Sequence, residues 1–89
     1  MAEMNKKQAI AELYTIKDFI RWGFSQLNQA DVCFGHGTDN ALDEIFALVL
    51  YALNLPHDFP EGYFDSRLTL DERTRIAGWI ERRISERIP

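Results

Sequence analysis

Several residue types are scarce in this 89-residue sequence, and each scarcity excludes a class of protein. Cys33 is the single cysteine, so no disulfide can form within the chain, as is typical of proteins in the reducing cytoplasm. The longest mostly apolar run, residues 45–55, is too short to cross a bilayer. Glu3, Lys6 and Lys7 interrupt the first residues and no apolar core follows, which argues against a signal peptide. We therefore expect a cytoplasmic protein with no membrane partner.

Basic residues are missing from the middle of the chain. Residues 29–66 contain seven Asp or Glu and no Lys or Arg, whereas residues 67–89 contain six Arg interleaved with four acidic residues. An acidic segment of this length repels nucleic acid and attracts a basic partner. The interleaved charges of the last segment indicate a solvated, internally paired helix and not a basic stripe. Direct binding of nucleic acid is therefore not expected.

Apolar spacing predicts that residues 2–28 form the first helix, with apolar stripes on two sides. The wider stripe consists of Ile10, Leu13, Tyr14, Ile16, Ile20, Phe24 and Leu27, and the narrower one of Ala11, Thr15, Phe19 and Trp22. Two stripes predict that this helix packs against neighbours on both sides, as the central helix of a bundle does. The alternative is that Phe19 and Trp22 form an exposed patch for a partner.

A second predicted helix begins after Asn40, which can cap it, because Asp43 and Glu44 then lie on the positive end of the helix dipole. Its buried face is predicted to contain Leu42, Ile45, Phe46, Val49, Leu50 and Leu53. The stretch "LPHDFPEG" should stop this helix, since Pro56 disfavours helical backbone at the residue before it. Tyr63 and Phe64 are predicted to form a short helical turn that fills part of the core.

The stretch "TLDE" predicts the start of the third long helix, because Thr69 and Glu72 have the spacing of a capping box. This helix should run to about Arg87. Its apolar stripe is predicted to contain Leu70, Ile76, Ala77, Ile80 and Ile84, with Trp79 on one flank and ion pairs Asp71/Arg75 and Arg82/Glu86. No alternating strand pattern is present. The predicted fold is all-α: one domain, residues 1–89, built as a small helical bundle of three main helices plus one or more short helices.

The stretch "CFGHGTDN", residues 33–40, carries the densest set of reactive side chains, but it does not complete a site. A phosphate cradle would need a preceding strand and a following Lys, and Asp39 and its acidic neighbours crowd the place of the anion. His36 and His57 are far apart and have no ligand partner at helical spacing. Cys33 and His36 lack an orienting group and an oxyanion hole. The stretch is interpreted as the connection between two helices, with no catalytic, metal or cofactor-binding residue.

Four pieces of the sequence, "RW", "GHGTDN", "DE" and the closing "ERRISERIP", resemble a known family. They are similar to the amino-terminal domain of bacterial glutamine methyltransferases that modify ribosomal protein three of the large subunit. These enzymes are related to the HemK-type methyltransferases of release factors, and some were formerly labelled adenine-specific DNA methylases. The resemblance covers essentially the whole chain, with Ala41 standing where the family pattern suggests Pro.

The resemblance also implies what this chain lacks. In the family, the helical domain precedes a Rossmann-like domain that binds S-adenosylmethionine through a glycine-rich loop and holds the glutamine amide with an Asn-Pro-Pro-Tyr motif. Neither motif occurs here, and Asn54 is followed by Leu55 and Pro56. The resemblance therefore implies an excised or truncated amino-terminal domain that is not itself an enzyme, with S-adenosylmethionine belonging to the missing catalytic domain.

The implied role of such a domain is to recognise a basic ribosomal protein and to hold it against the carboxy-terminal methyltransferase domain. The acidic middle of the chain has the sign that this partner requires. The candidate partner-binding residues are Trp22, His36, Thr38, Asp39, Asp43, Glu44 and Arg83. Phe19, Trp22 and a ridge of Trp79 and Arg83 are candidates for the contact with the catalytic domain. A stand-alone helical interaction or dimerisation module is the alternative function, and part of a DNA adenine methylase is a third.

Overall fold

A computed structural model describes residues 5–30 and 41–86 of the chain. These residues form four α-helices and one 3₁₀ turn: α1 (Lys6–Glu12), α2 (Ile16–Ala30), α3 (Ala41–Ala52), the turn Glu61–Tyr63 and α4 (Leu70–Glu86). The predicted all-α bundle is confirmed. None of the helices within the described ranges has the length and apolar character needed to span a bilayer.

The prediction of one continuous first helix is wrong, because the chain breaks into α1 and α2 at residues 13–15. Leu13 has extended backbone (φ −98°, ψ 134°), which ends α1. The Oγ1 atom of Thr15 accepts a hydrogen bond from the Asp18 amide at 3.0 Å. An Asp18 carboxylate oxygen accepts from the amides of Tyr14 and Thr15 at 3.0 and 3.1 Å. This reciprocal pattern satisfies amides that a new helix leaves without partners, so it starts α2 at this point.

The break also joins the start of α2 to the segment that precedes α4. The amide of Lys17 donates to the carbonyl of Phe64 at 2.9 Å, and the amide of Leu68 donates to the carbonyl of Tyr14 at 2.7 Å. These bonds let α1 turn away and pack against α4, while α2 packs against both α3 and α4. The predicted two-sided packing of the central helix is confirmed for α2.

The core lies where α2, α3 and α4 meet. Its largest fully buried side chains come in pairs from these three helices: Phe19 and Leu27, Ile45 and Val49, and Ile76 and Ile80. Some predicted core residues are instead exposed, among them Tyr14, Leu42 and Leu70. Tyr14 precedes α2, and Leu42 is about 100° around α3 from buried Ala41. Leu70 starts α4 more than a turn before its first buried residue.

The end of α3 is set by Asn54 and not, as predicted, by Pro56. Asn54 has a positive φ of 60°, the left-handed conformation that Asn tolerates at a helix end. The amide of Leu55 donates to the carbonyl of Leu50 at 2.9 Å, and the amide of Asn54 donates to that of Tyr51 at 3.1 Å. This pair of bonds is a Schellman motif, and it satisfies carbonyls that the helix end leaves open.

Other sequence predictions around α4 are confirmed in part. Thr69 and Glu72 form the predicted capping box, with bonds of 2.9 and 3.1 Å. Phe64 is buried after the 3₁₀ turn, as predicted, but Tyr63 is exposed. Arg82 and Glu86 form the predicted ion pair at 3.0 Å. Arg75 donates to the carbonyl of Ala52 at 3.2 Å, which ties α4 to the end of α3.

Gly23 lies where α2 packs tightly against neighbouring side chains, and this packing yields a prediction. A Cβ atom on Gly23 would lie 2.7 Å from Cγ1 of Ile45 and 3.0 Å from Cδ1 of Ile80. Substitution Gly23→Ala should therefore lower the free energy of unfolding by about 1–3 kcal/mol through overpacking. Urea denaturation followed by circular dichroism measures this change.

The matched control is Gly78→Ala in α4, where nothing lies within 4 Å of the added Cβ. This substitution should raise the free energy of unfolding by about 1 kcal/mol, because Ala is the better helix former. Equal effects of the two substitutions would contradict the packing at Gly23.

Candidate functional site

Among the grooves on the surface of the described residues, two involve α3 and another lies beside Trp22. The first, the aromatic–acidic groove, has a volume of about 360 Å³ and is lined chiefly by Asp43, Phe46, His57, Phe59, Glu61 and Phe64. The second, the Tyr51–Trp79 groove, has a volume of about 400 Å³ and is lined chiefly by Glu44, Leu48, Tyr51, Trp79, Arg82 and Arg83. The third, the Trp22 groove, has a volume of about 320 Å³ and includes Lys6, Trp22, Ile80 and Glu81.

The wall of the aromatic–acidic groove is built by the turns between α3 and α4. The amide of Phe59 donates to the carbonyl of Pro56 at 3.0 Å, and the 3₁₀ turn that begins after Pro60 follows directly. These turns bring the ring of Phe59 to 6.5 Å from that of Phe64, which itself lies 5.7 Å from the ring of Phe46 in α3. The result is a row of three rings shared between a helix and a loop.

Two acidic side chains are among the described residues that line this groove. Asp43, in the first turn of α3, and Glu61, at the start of the 3₁₀ turn, are both exposed, and so is His57. No Lys or Arg of residues 5–30 and 41–86 lines the groove. Apolar rings beside two carboxylates suit a ligand that has both an apolar stem and a positive charge.

The Tyr51–Trp79 groove has paired charges along its edge. Tyr51 is 68% exposed and meets the Trp79 ring edge to face, with centroids 5.4 Å apart. The guanidinium of Arg82 lies 5.5 Å from the centre of the same Trp79 ring and also contacts Glu86. Glu44 and Arg83, predicted separately as partner-binding residues, form an ion pair at 2.9 Å.

The pair of Glu44 and Arg83 links α3 to α4. Its side chains are only 21% and 10% exposed, so water screens the two charges less than it screens a surface pair. Asp43, the residue before Glu44, is exposed and faces the aromatic–acidic groove. The adjacent carboxylates of Asp43 and Glu44, both predicted from the sequence to bind a partner, therefore differ in their surroundings.

Trp22 belongs mainly to the interior. It is 9% exposed and meets the ring of Phe19 edge to face, with centroids 6.2 Å apart. Phe19 itself is fully buried. The Trp22 groove is bordered by an ion pair of 2.9 Å between Lys6 of α1 and Glu81 of α4. Trp22 thus lines a groove that has both a positive and a negative side chain at its edge.

His36, Thr38 and Asp39, together with the predicted cap Asn40 and with Cys33, lie outside the described residues. Among residues 5–30 and 41–86, no group of three or more His, Cys, Asp or Glu side chains is arranged to hold a metal ion.

Three site residues were not found from the sequence: Tyr51, Phe59 and Glu61. Tyr51 lies outside the predicted apolar stripe of α3. An aromatic residue on the polar side of a helix indicates an exposed apolar surface, and this feature of the sequence could have identified Tyr51. Phe59 and Glu61 stand in "HDFPEGYF", where aromatic and acidic residues alternate around a proline. In this stretch the sequence predicts only the end of a helix and a short helical turn at Tyr63 and Phe64.

Comparison with known proteins places this chain beside one group of enzymes. It is 48% identical over 81 residues to the ribosomal protein uL3 glutamine methyltransferase of Xanthomonas campestris pv. campestris, which covers 91% of the chain and 26% of the relative. It is 47% identical over 78 residues to the protein of the same name from Bordetella pertussis, covering 88% of the chain and 26% of the relative. It is 45% identical over 89 residues to the protein of the same name from Neisseria meningitidis serogroup B, covering 100% of the chain and 29% of the relative.

The resemblance inferred from the sequence is thus confirmed by curated relatives. The chain spans only about a quarter of the length of the curated relatives that it matches. No family model matches the chain. No solved structure matches it either.

The burial of the Glu44–Arg83 pair yields a second prediction. Substitution Glu44→Gln should lower the free energy of unfolding by about 2 kcal/mol, because it removes the negative charge beside an Arg side chain that is nine-tenths buried. Thermal or urea denaturation measures the loss.

The exposed pair Arg82–Glu86 supplies the control, since it also spans 3.0 Å or less but its side chains are 66% and 48% exposed. Substitution Glu86→Gln should change the free energy of unfolding by less than about 0.5 kcal/mol. Losses of equal size at Glu44 and Glu86 would show that burial does not strengthen the pair.

Proposed function

We propose that this chain is the amino-terminal substrate-recognition domain of an S-adenosylmethionine-dependent enzyme that methylates a glutamine side-chain amide of ribosomal protein uL3. One observation carries the proposal: the chain matches proteins named ribosomal protein uL3 glutamine methyltransferase over 88–100% of its own length. An identity of 45–48% over a whole helical bundle favours a shared role for that bundle. The substrate would be met in the cytoplasm, where ribosomal proteins are made.

The methyl transfer itself is assigned to the rest of the protein. S-adenosylmethionine would need a loop whose glycines allow close backbone approach. The three glycines that the structure describes do not fit this need: Gly23 lies inside α2 against Ile45, Gly78 lies inside α4, and Gly62 lies in the 3₁₀ turn. We therefore place no cofactor contact and no catalytic step on the described residues.

Recognition is the part of the reaction that this domain would supply. A protein that binds ribosomal RNA needs many Lys and Arg side chains to neutralise phosphates. The stretch 29–66 of this chain has seven acidic residues and no basic one, so its field has the sign that attracts such a protein. The partner on the other side would be the carboxy-terminal methyltransferase domain, which must receive the glutamine that this domain helps to hold.

A third prediction tests this role in the full-length enzyme. The double substitution Asp39→Lys and Asp43→Lys should weaken binding of purified uL3 by about tenfold or more, because it places positive charge where a basic partner approaches. Binding of S-adenosylmethionine should not change. Isothermal titration with each ligand separates the two effects.

Glu44 is left unchanged in this experiment because its reversal would break the partly buried pair with Arg83 and confuse misfolding with lost binding. A variant that binds uL3 as tightly as the unaltered enzyme would refute recognition through these two acidic residues. Loss of both ligands together would point to a damaged protein, which circular dichroism would reveal.

A helical interaction or dimerisation module without an enzyme attached is the second candidate function. The observation that favours it is the Tyr51–Trp79 groove, in which a 68% exposed Tyr51 lies against Trp79. Reading the gene beyond codon 89 separates the two functions. A glycine-rich loop and an Asn-Pro-Pro-Tyr motif would support the enzyme, and a stop codon would support the module.

A further inference from the structure

We propose that the aromatic–acidic groove receives a Lys or Arg side chain of the basic partner, and that this contact is where the domain grips its substrate. The inference rests on the proposed function and assigns that function to one surface. The groove volume of about 360 Å³ is near the lower end for ligand pockets, which span about 300–1,000 Å³. A groove of this size can hold one side chain of a partner and the residues next to it, but it is too small for a large part of a folded protein's surface.

The aromatic side of the groove provides the first recognition element. The rings of Phe46 and Phe59 are half-buried, and both lie close to the buried ring of Phe64. Their exposed parts offer apolar surface to the methylene stem of a Lys or Arg side chain. Ring faces also attract the cation at the end of that stem. Because Phe64 is packed in the core, the two outer rings are held in place before any partner arrives.

The charge of the groove provides the second element, and it differs from that of the other two grooves. In the Tyr51–Trp79 groove, Glu44 lies against Arg83 and Glu86 lies against Arg82. In the Trp22 groove, Glu81 lies against Lys6. Those acids already have cations of the same domain beside them, which lowers their attraction for a partner's charge.

Within residues 5–30 and 41–86, no Lys or Arg of the chain forms an ion pair with Glu61. Glu61 is exposed and lies beside the rings, at the start of the 3₁₀ turn. Asp43 lines the groove from α3. A cation between α3 and this turn would lie near Asp43 on one side and Glu61 on the other. The groove would therefore recognise where the partner's positive charge lies, and not only the partner's net charge.

The experiment compares two double variants of the 89-residue chain that change the net charge equally. The first, Asp43→Asn with Glu61→Gln, removes two negative charges from the groove. The second, Asp58→Asn with Asp71→Asn, removes two negative charges from exposed residues that do not line it. Asp43 and Asp71 both lie in the first turn of a helix, so the effects on the helix dipole are matched.

The probe is purified ribosomal protein uL3, and the measured quantity is its dissociation constant at two salt concentrations. The groove variant should weaken binding about tenfold at low salt, and the control variant by less than about twofold. A third variant, Phe59→Leu, keeps an apolar side chain but removes the ring, and it should weaken binding about threefold to tenfold. Circular dichroism confirms that each variant is folded.

Each result decides the matter. Selective loss in the groove variant and in Phe59→Leu supports the proposal. Equal losses in the two double variants would assign attraction to the overall field and overturn the groove as the site. Tight uL3 binding by every variant would overturn the groove while leaving the recognition role intact. Failure of the unaltered chain to bind uL3 would overturn the recognition role itself, and the groove with it.

Discussion

The hydrogen bonds around Asp18 are the constraint on which the arrangement of helices depends. Its carboxylate accepts from two consecutive amides, and its own amide donates to Thr15, so α2 has a defined beginning at a point where apolar spacing alone would continue a helix. Without this break, α1 would extend along the axis of α2. With it, α1 lies against α4, and the chain between α3 and α4 is held against the start of α2.

The second constraint is the space at Gly23, which lets the three main helices meet closely. Ile45 and Ile80 occupy the position that a side chain would need there. Close contact brings α3 and α4 together and so makes possible the partly buried pair of Glu44 and Arg83. The surface that remains on α3 is then divided: one side faces the paired charges of the Tyr51–Trp79 groove, and the other faces the rings and carboxylates of the aromatic–acidic groove.

The sequence predicted those features that depend on a few neighbouring residues. The capping box at Thr69, the ion pair Arg82–Glu86 and the buried positions of α2 were all found as expected. The Thr15–Asp18 cap has the same local form, but a strong apolar pattern running through it concealed it. The aromatic–acidic groove could not be predicted, because Phe46 and Phe59 come to line the same groove only through the path of the chain after Asn54.

The bonds between the start of α2 and the segment before α4 join residues that are about fifty positions apart. Most contacts of a helical bundle are local and form quickly, whereas a distant contact must first overcome the entropy of closing a long loop. The Lys17–Phe64 bond is of this distant kind, and Phe64 lines the aromatic–acidic groove. The groove should therefore be among the last parts of the domain to form, and its amides among those that exchange with solvent by local opening before the helices unfold.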